Sequence, residues 1–351
     1  MRLTLSLCIA LLLTSGCDPA TTEESPEDVV PRGDRVLSID IVNANGEDYG
    51  AALATAQALG SETVFISLTW ERLEPQPGVY DFTFPDIIET FYPSREIGVG
   101  MMIGPVDTNN DVRPADLRDL PFDHPDVIAR YQTLIDTVLS RVPTTELTTI
   151  ALGNEVDAWL SDPTMWTAYQ ALYEAGAAHV RALRPEVTVG VKVTFGGLTG
   201  GNASRAAQLN TTSDAILTTY YPLEDDFTMH PPSVVSSDFA ELVRRYPDRP
   251  IEVLEAGYPA SPTCDSSDEQ QAEFVTELFK AWDVQKDHIS VVSYSFLTDF
   301  SPAEVDEFET YYGLSDPAFL AYLGTLGLRR NDGSHRPAYD RFAAEASARG
   351  W

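Results

Sequence analysis

The chain has 351 residues, 43% of them apolar, and carries 54 acidic against 23 basic side chains for a formal charge of −31. That length and apolar content suffice for a large core, arranged as one barrel domain or two smaller units. So acidic a surface repels nucleic acid and anionic lipid headgroups, which sets those partners aside and leaves neutral or cationic ones.

Residues 1–16 hold one positive charge at Arg2, an apolar run from Leu3 to Leu13, and Thr14-Ser15-Gly16 before Cys17. This is the pattern of an export signal, and the run is too short to span a bilayer as a mature helix. The four residues ending at Cys17 resemble the bacterial lipoprotein box, with Thr14 where that box usually has leucine. The resemblance implies removal of residues 1–16, lipidation of Cys17 and an exported protein held at the bacterial cell envelope by its lipid alone; ordinary secretion is the alternative. Residues 17–34 are rich in Asp, Glu, Thr and Pro and lack aromatics, so they read as an acidic linker ahead of a single catalytic domain over 35–351. With Cys8 in the signal and Cys17 acylated, Cys264 has no partner, and no disulfide framework is expected.

From Arg35 onward, β-branched runs alternate with stretches of helical period. The expected strands are Val36–Val42, Thr63–Thr69, Ile97–Ile103, Leu147–Asn154, Val187–Thr194, Ala215–Tyr220, Ile251–Glu255 and Ile289–Leu297. Between and after them come helices at Asp48–Leu59, Phe84–Phe91, Pro125–Arg141, Pro163–Leu183, Ala203–Leu209, Ser236–Tyr246, Asp268–Val284 and Pro337–Ala348. Asp162-Pro163 supplies an N-cap followed by Pro at the first helical position, and His124-Pro125 repeats the Pro placement. Eight strands alternating with eight helices suit a (β/α)8 TIM barrel, an α/β fold in one domain. A doubly wound open sheet is disfavoured because Asn43-Ala44-Asn45-Gly46, rather than a Gly-rich phosphate turn, follows the first strand. There is no internal repeat and no membrane-spanning run after the signal, so the rest reads as one soluble domain; a monomer is expected.

Two glutamates close short apolar runs: Glu155 after Thr149-Ile150-Ala151-Leu152-Gly153-Asn154, and Glu255 after Ile251-Glu252-Val253-Leu254. Each precedes a turn-like break, which is where a parallel barrel presents its working side chains. A pair of carboxyl groups on rigid strands is the minimum equipment for cleaving a glycosidic bond, with a spacing of roughly 5–5.5 Å for a retaining reaction. The structural alternative for either glutamate is a carboxylate capping the next helix.

At these residues the chain resembles the clan A glycoside hydrolases, (β/α)8 retaining enzymes. Their acid/base glutamate follows an asparagine on strand four, and their nucleophile glutamate ends strand seven. Gly153-Asn154-Glu155 and Leu254-Glu255-Ala256-Gly257-Tyr258-Pro259 look like the two signatures. Trp70 to Asp81 resembles the segment after strand two, Tyr220-Tyr221-Pro222 the end of strand six, and Gly327 to Gly333 with Arg336-Pro337-Ala338-Tyr339 the closing segment. The resemblance implies Glu155 as acid/base, Glu255 as nucleophile, Asn154 on the sugar 2-hydroxyl, and Tyr221 orienting Glu255. Two departures stand out. Val64-Phe65-Ile66-Ser67 lacks the arginine often found on strand two, for which Lys192 could substitute, and Phe296 stands where many members carry a tryptophan under the sugar.

Trp70, Trp159 and Tyr258 sit past strand ends as candidate sugar platforms, with core packing as the alternative. Asp107-Thr108-Asn109-Asn110-Asp111 begins like a calcium loop, but Val112 replaces the required glycine and Arg118 the closing glutamate, so it reads as a polar loop after strand three. The five histidines lack ligand spacing, so neither metal nor cofactor is implied. The expected activity is retaining hydrolysis of a neutral β-linked poly- or oligosaccharide. A carbohydrate-binding protein without turnover, a transglycosylase, and a Schiff-base lyase using Lys192 are the alternatives.

Overall fold

The computed structural model describes residues 29–351. The expected signal, Cys17 and the linker up to residue 28 lie outside the described residues. Residues 29–34, read from composition as the end of the linker, lie against the barrel. The Arg32 backbone N–H donates to the Arg349 carbonyl, and the Arg35 guanidinium donates to the Val30 and Pro31 carbonyls and to Asp283.

The fold is a (β/α)8 barrel. Its strands are β1 (Val36–Ile39), β2 (Thr63–Thr69), β3 (Gly98–Gly104), β4 (Leu147–Ala151), β5 (Thr188–Gly190 and Lys192–Thr194), β6 (Ile216–Tyr220), β7 (Ile251–Ala256) and β8 (Ile289–Tyr294). All neighbours pair in parallel, and β1 pairs with both β2 and β8. The sheet closes through β5, which breaks at Val191. Its first piece pairs with β4 and its second with β6.

Eight helices pack outside: α1 (Tyr49–Ala58), α2 (Thr83–Phe91), α3 (Pro125–Arg141), α4 (Pro163–Leu183), α5 (Ala203–Leu209), α6 (Val235–Arg245), α7 (Asp268–Val284) and α8 (Pro337–Arg349). Local chemistry sets their starts. Asp162 caps α4 by accepting from the Thr164 and Met165 N–H groups, with Pro163 in the first turn, and Ser267 caps α7 above Asp268 and Glu269. The main core lies between strands and helices, where α4 buries Trp166, Tyr169, Leu172 and Tyr173. A second, smaller cluster of Met102, Ala151, Leu217 and Leu254 fills the barrel interior.

Strands β1, β4 and β8 end three residues earlier than their apolar runs, and the last residues of those runs help line the barrel mouth. Three further elements there fall outside the expected strands and helices. Val106–Asp107 and Asn110–Asp111 form a small antiparallel hairpin after β3. A short helix, Phe195–Thr199, follows β5. After β8, helices Pro302–Tyr312 and Pro317–Leu323 make an insertion. The first of these carries a capping box between Ser301 and Glu304, ends at Gly313 in the left-handed region, and buries none of its own residues. No helix among the described residues is long and apolar enough to cross a membrane.

Candidate active site

Period-two alternation runs through β7: Glu252 points into the barrel and accepts a 2.7 Å hydrogen bond from Thr149, Val253 packs outward, and Leu254 joins the interior cluster. Continued without interruption, that pattern would send Glu255 to the helix side. A bulge prevents this. Val253 pairs with Thr218 of β6 and Glu255 with the very next residue, Thr219, so Leu254 is the extra residue and Glu255 turns back into the mouth.

Glu155 reaches the same place from beyond the end of β4. Gly153 has φ +109°, and a Cβ there would lie 2.1 Å from the Tyr169 hydroxyl, so only glycine fits. Glu155 itself adopts φ 43°. The turn is fixed by its neighbours: the Asn154 N–H donates to Val106, the Lys192 N–H to Gly153, and half-buried Asp157 accepts from both the backbone and the hydroxyl of Thr194.

The two carboxyl groups sit in opposite surroundings. Glu155 accepts from the hydroxyls of Thr108 at 2.9 Å and Thr219 at 2.7 Å, with no cation in direct contact. Burial first, and the charge of Glu255 second, push its pKa up to about 7. Glu255 accepts from the Lys192 ammonium on one oxygen and from the Tyr221 hydroxyl, at 2.9 Å, on the other. Lys192 is fully buried. Burial pulls its pKa down, but Glu255, Glu155 and Asp40 more than offset this and hold it above its ordinary value. Its ammonium also lies 4.9 Å from the Phe65 ring, on the strand where the resemblance anticipated an arginine.

Both glutamates line a cleft of about 1080 Å³. Asn154, Tyr221 and Phe296 line it too. The Asn154 amide donates to Asp107 at 2.7 Å and to Thr108, which ties the hairpin after β3 to the turn that carries Glu155. The loop once compared with a calcium site is therefore part of the cleft wall, and among the described residues no group of three His, Cys, Asp or Glu is placed to hold a metal.

Three candidate platforms are corrected. Trp70 is fully buried, donates from its indole nitrogen to Glu74 at 2.8 Å, and lies against Tyr131. Tyr258 is equally buried, donates to the His230 carbonyl, and stacks on Phe274. Trp159 is half-buried against the core, away from the cleft lining. Cys264 is a buried thiol, pushed up to about 11 chiefly by burial, with none of the character of a nucleophile.

Sequence reasoning passed over Asp40, just past β1. Its carboxyl accepts from Ser295 at 2.6 Å and Ser293 at 3.2 Å, lines the cleft, and is pushed up to about 7 by burial and by Glu255. A signal existed in the alternation Leu37 out, Ser38 in, Ile39 out, which places Asp40 inward. Tyr312 and Tyr322, from the insertion after β8, also face the two glutamates.

No protein-family model matches the chain, and a search of curated proteins finds no match in sequence. Solved structures are similar in fold. A GH5_18 protein from Bifidobacterium longum subsp. infantis aligns with TM-score 0.66 at 16% identity, over 89% of this chain and 78% of that one. An exo-β-1,4-mannosidase from Opitutaceae bacterium strain TAV5 gives TM-score 0.69 at 17% identity, over 90% of this chain and 59% of that one. The GH53 catalytic domain of Ignisphaera aggregans gives 0.62 at 15%, over 91% and 98%. Across so little identity the likeness is one of barrel architecture.

Proposed function

We propose that this chain is a retaining β-glycoside hydrolase. The observation that carries the reading is the contrast between two carboxyl groups in one cleft: Glu155 held by hydroxyls and pushed up to about 7, Glu255 held by an ammonium and a phenol. One is suited to hand over a proton and the other to attack. In the first step Glu155 protonates the glycosidic oxygen while Glu255 attacks the anomeric carbon. In the second, Glu155, now ionised, takes a proton from water as that water releases the sugar.

Lys192 and Tyr221 position Glu255, and Thr108 and Thr219 position Glu155. To Asn154, which lines the cleft beside Glu155, we assign the sugar hydroxyl next to the anomeric centre. The fold neighbours favour β-mannosides among neutral sugars: one is named an exo-β-1,4-mannosidase, and another was solved with Manβ1-4GlcNAc. Export and lipid anchoring through Cys17 remain part of the proposal on the strength of the N-terminal sequence alone, as does a monomeric state.

The stereochemistry of the product tests the mechanism. Proton NMR of the first product formed should show the β-anomer, followed by slow mutarotation. An α-anomer formed first would mean inversion and remove Glu255 as nucleophile.

A further inference from the structure

The hairpin after β3 joins the turn that carries Glu155 to the insertion that reaches across from β8. At its tip, Thr108 donates from its hydroxyl to Glu155 at 2.9 Å and from its backbone N–H to the Asn154 carbonyl at 2.9 Å. Thr108 has φ 51° and Glu155 φ 43°. A threonine and a glutamate keep such left-handed backbones only where the surrounding structure over-determines them.

Part of that support comes from the insertion. The Asp107 carboxyl accepts from the Asn154 amide at 2.7 Å on one oxygen and from the Tyr311 hydroxyl at 2.6 Å on the other. The Asn109 amide donates to the Tyr312 carbonyl at 2.9 Å, and the Asn110 amide to the Tyr311 carbonyl at 3.2 Å. Both carbonyls belong to the last turn of the helix Pro302–Tyr312, where the helix itself supplies no donor. None of that helix's residues is buried, so its far end is held by ring contacts of Phe308 and Tyr312 and by these three bonds to the hairpin. The same bonds hold the hairpin in place against Glu155.

We infer that Asp107 and Tyr311 are positioning residues for the proton donor: Tyr311 orients the Asp107 carboxyl, Asp107 holds the Asn154 amide and the hairpin tip, and through them Glu155 stays aimed at the glycosidic oxygen. This rests on the glycosidase reading above, in which Glu155 supplies that proton. A misplacement of about 1 Å costs a reacting group on the order of a hundredfold in rate. A residue that only shaped the cleft would affect every substrate alike. One that aims the acid matters only where the leaving group needs the proton.

The test measures kcat/KM of the purified protein on two matched β-glycosides, of mannose and of glucose in turn: the dinitrophenyl glycoside, whose phenolate departs without a proton, and the phenyl glycoside, whose departure needs one. Tyr311→Phe removes a single oxygen at a position that is 37% exposed, so folding is not at stake. It should lower kcat/KM on the phenyl glycoside by about tenfold and on the dinitrophenyl glycoside by less than about twofold. Asp107→Ala should show the same selectivity with a larger loss, its turnover of the dinitrophenyl glycoside reporting an intact site. Adding Tyr311→Phe to Asp107→Ala should cost nothing further, because both act along one path. Equal losses on the two glycosides, no loss on the phenyl glycoside, or losses that multiply in the double variant would overturn the positioning role and leave the glycosidase reading standing. No turnover of any of these glycosides by the unsubstituted protein would instead overturn the glycosidase reading, and this inference with it.

Discussion

A carboxyl that must arrive protonated and leave ionised works best with a pKa near the working pH, and burial beside Glu255 places Glu155 at about 7. The sign follows directly: the proton donor is lost as pH rises through that value, so kcat/KM should fall on the alkaline side with a midpoint near 7. Glu155→Gln should remove that limb and cost about 10²–10⁴ in rate on substrates with poor leaving groups, read from a pH series on matched substrates. Tyr221 donates a hydrogen bond to the Glu255 carboxylate, a kind of bond worth about 1.5–3 kcal/mol. Tyr221→Phe should therefore lower kcat/KM by roughly tenfold to a hundredfold while the fold, followed by circular dichroism, is retained. At this scale the two glutamates were legible because each ends an apolar run before a break. Trp70 was misleading for a definable reason: Glu74 lies four residues on along the short helix Trp70–Leu73, so the indole turns inward to it instead of to the cleft.

Elements place these residues, and two backbone irregularities decide where the glutamates point. The bulge at Leu254 reverses the face of Glu255, and Gly153 lets the chain turn so that Glu155 enters the mouth. Gly153→Ala forces a Cβ against the Tyr169 hydroxyl and a side chain into a left-handed conformation. It should cost roughly 2 kcal/mol or more in stability by denaturant titration, along with most activity, since the turn carries Glu155. The strands and outer helices were legible to within a few residues, because period-two and period-3.6 patterns there agree with burial. The bulge was not, since it is a property of pairing between β6 and β7 that one strand's sequence does not contain. Nor was the insertion after β8. Its first helix buries no residue of its own, so its sequence lacks the apolar stripe that marks a core helix.

For the molecule as a whole, the acidic balance and the buried carboxyls act in the same direction. Burial pushes Asp40, Glu155 and Glu252 up to about 7, and Asp299, which also accepts from Arg336, up to about 6. Between their ordinary values near 4 and these raised ones, the folded chain binds more protons than the unfolded chain. Stability therefore falls as pH rises through that window. Self-repulsion in a chain of formal charge −31 grows in the same range. Thermal unfolding should give a higher Tm at pH 5 than at pH 8. Glu252→Gln, which keeps a group able to bond Thr149 but removes the ionisation, should narrow that difference; a Tm that rises from pH 5 to pH 8 would contradict the assignment of these groups as buried acids.

The proposed mechanism makes Glu255 the nucleophile. The most direct measurement is the intact mass of the soluble domain after incubation with 2-deoxy-2-fluoro β-glycosides carrying good leaving groups, mannosides among them, followed by peptide mapping. The account predicts one sugar added per chain, on Glu255, and none on Glu255→Gln. An adduct on another residue, or steady turnover of a β-glycoside with no adduct from any sugar of the panel, would contradict it.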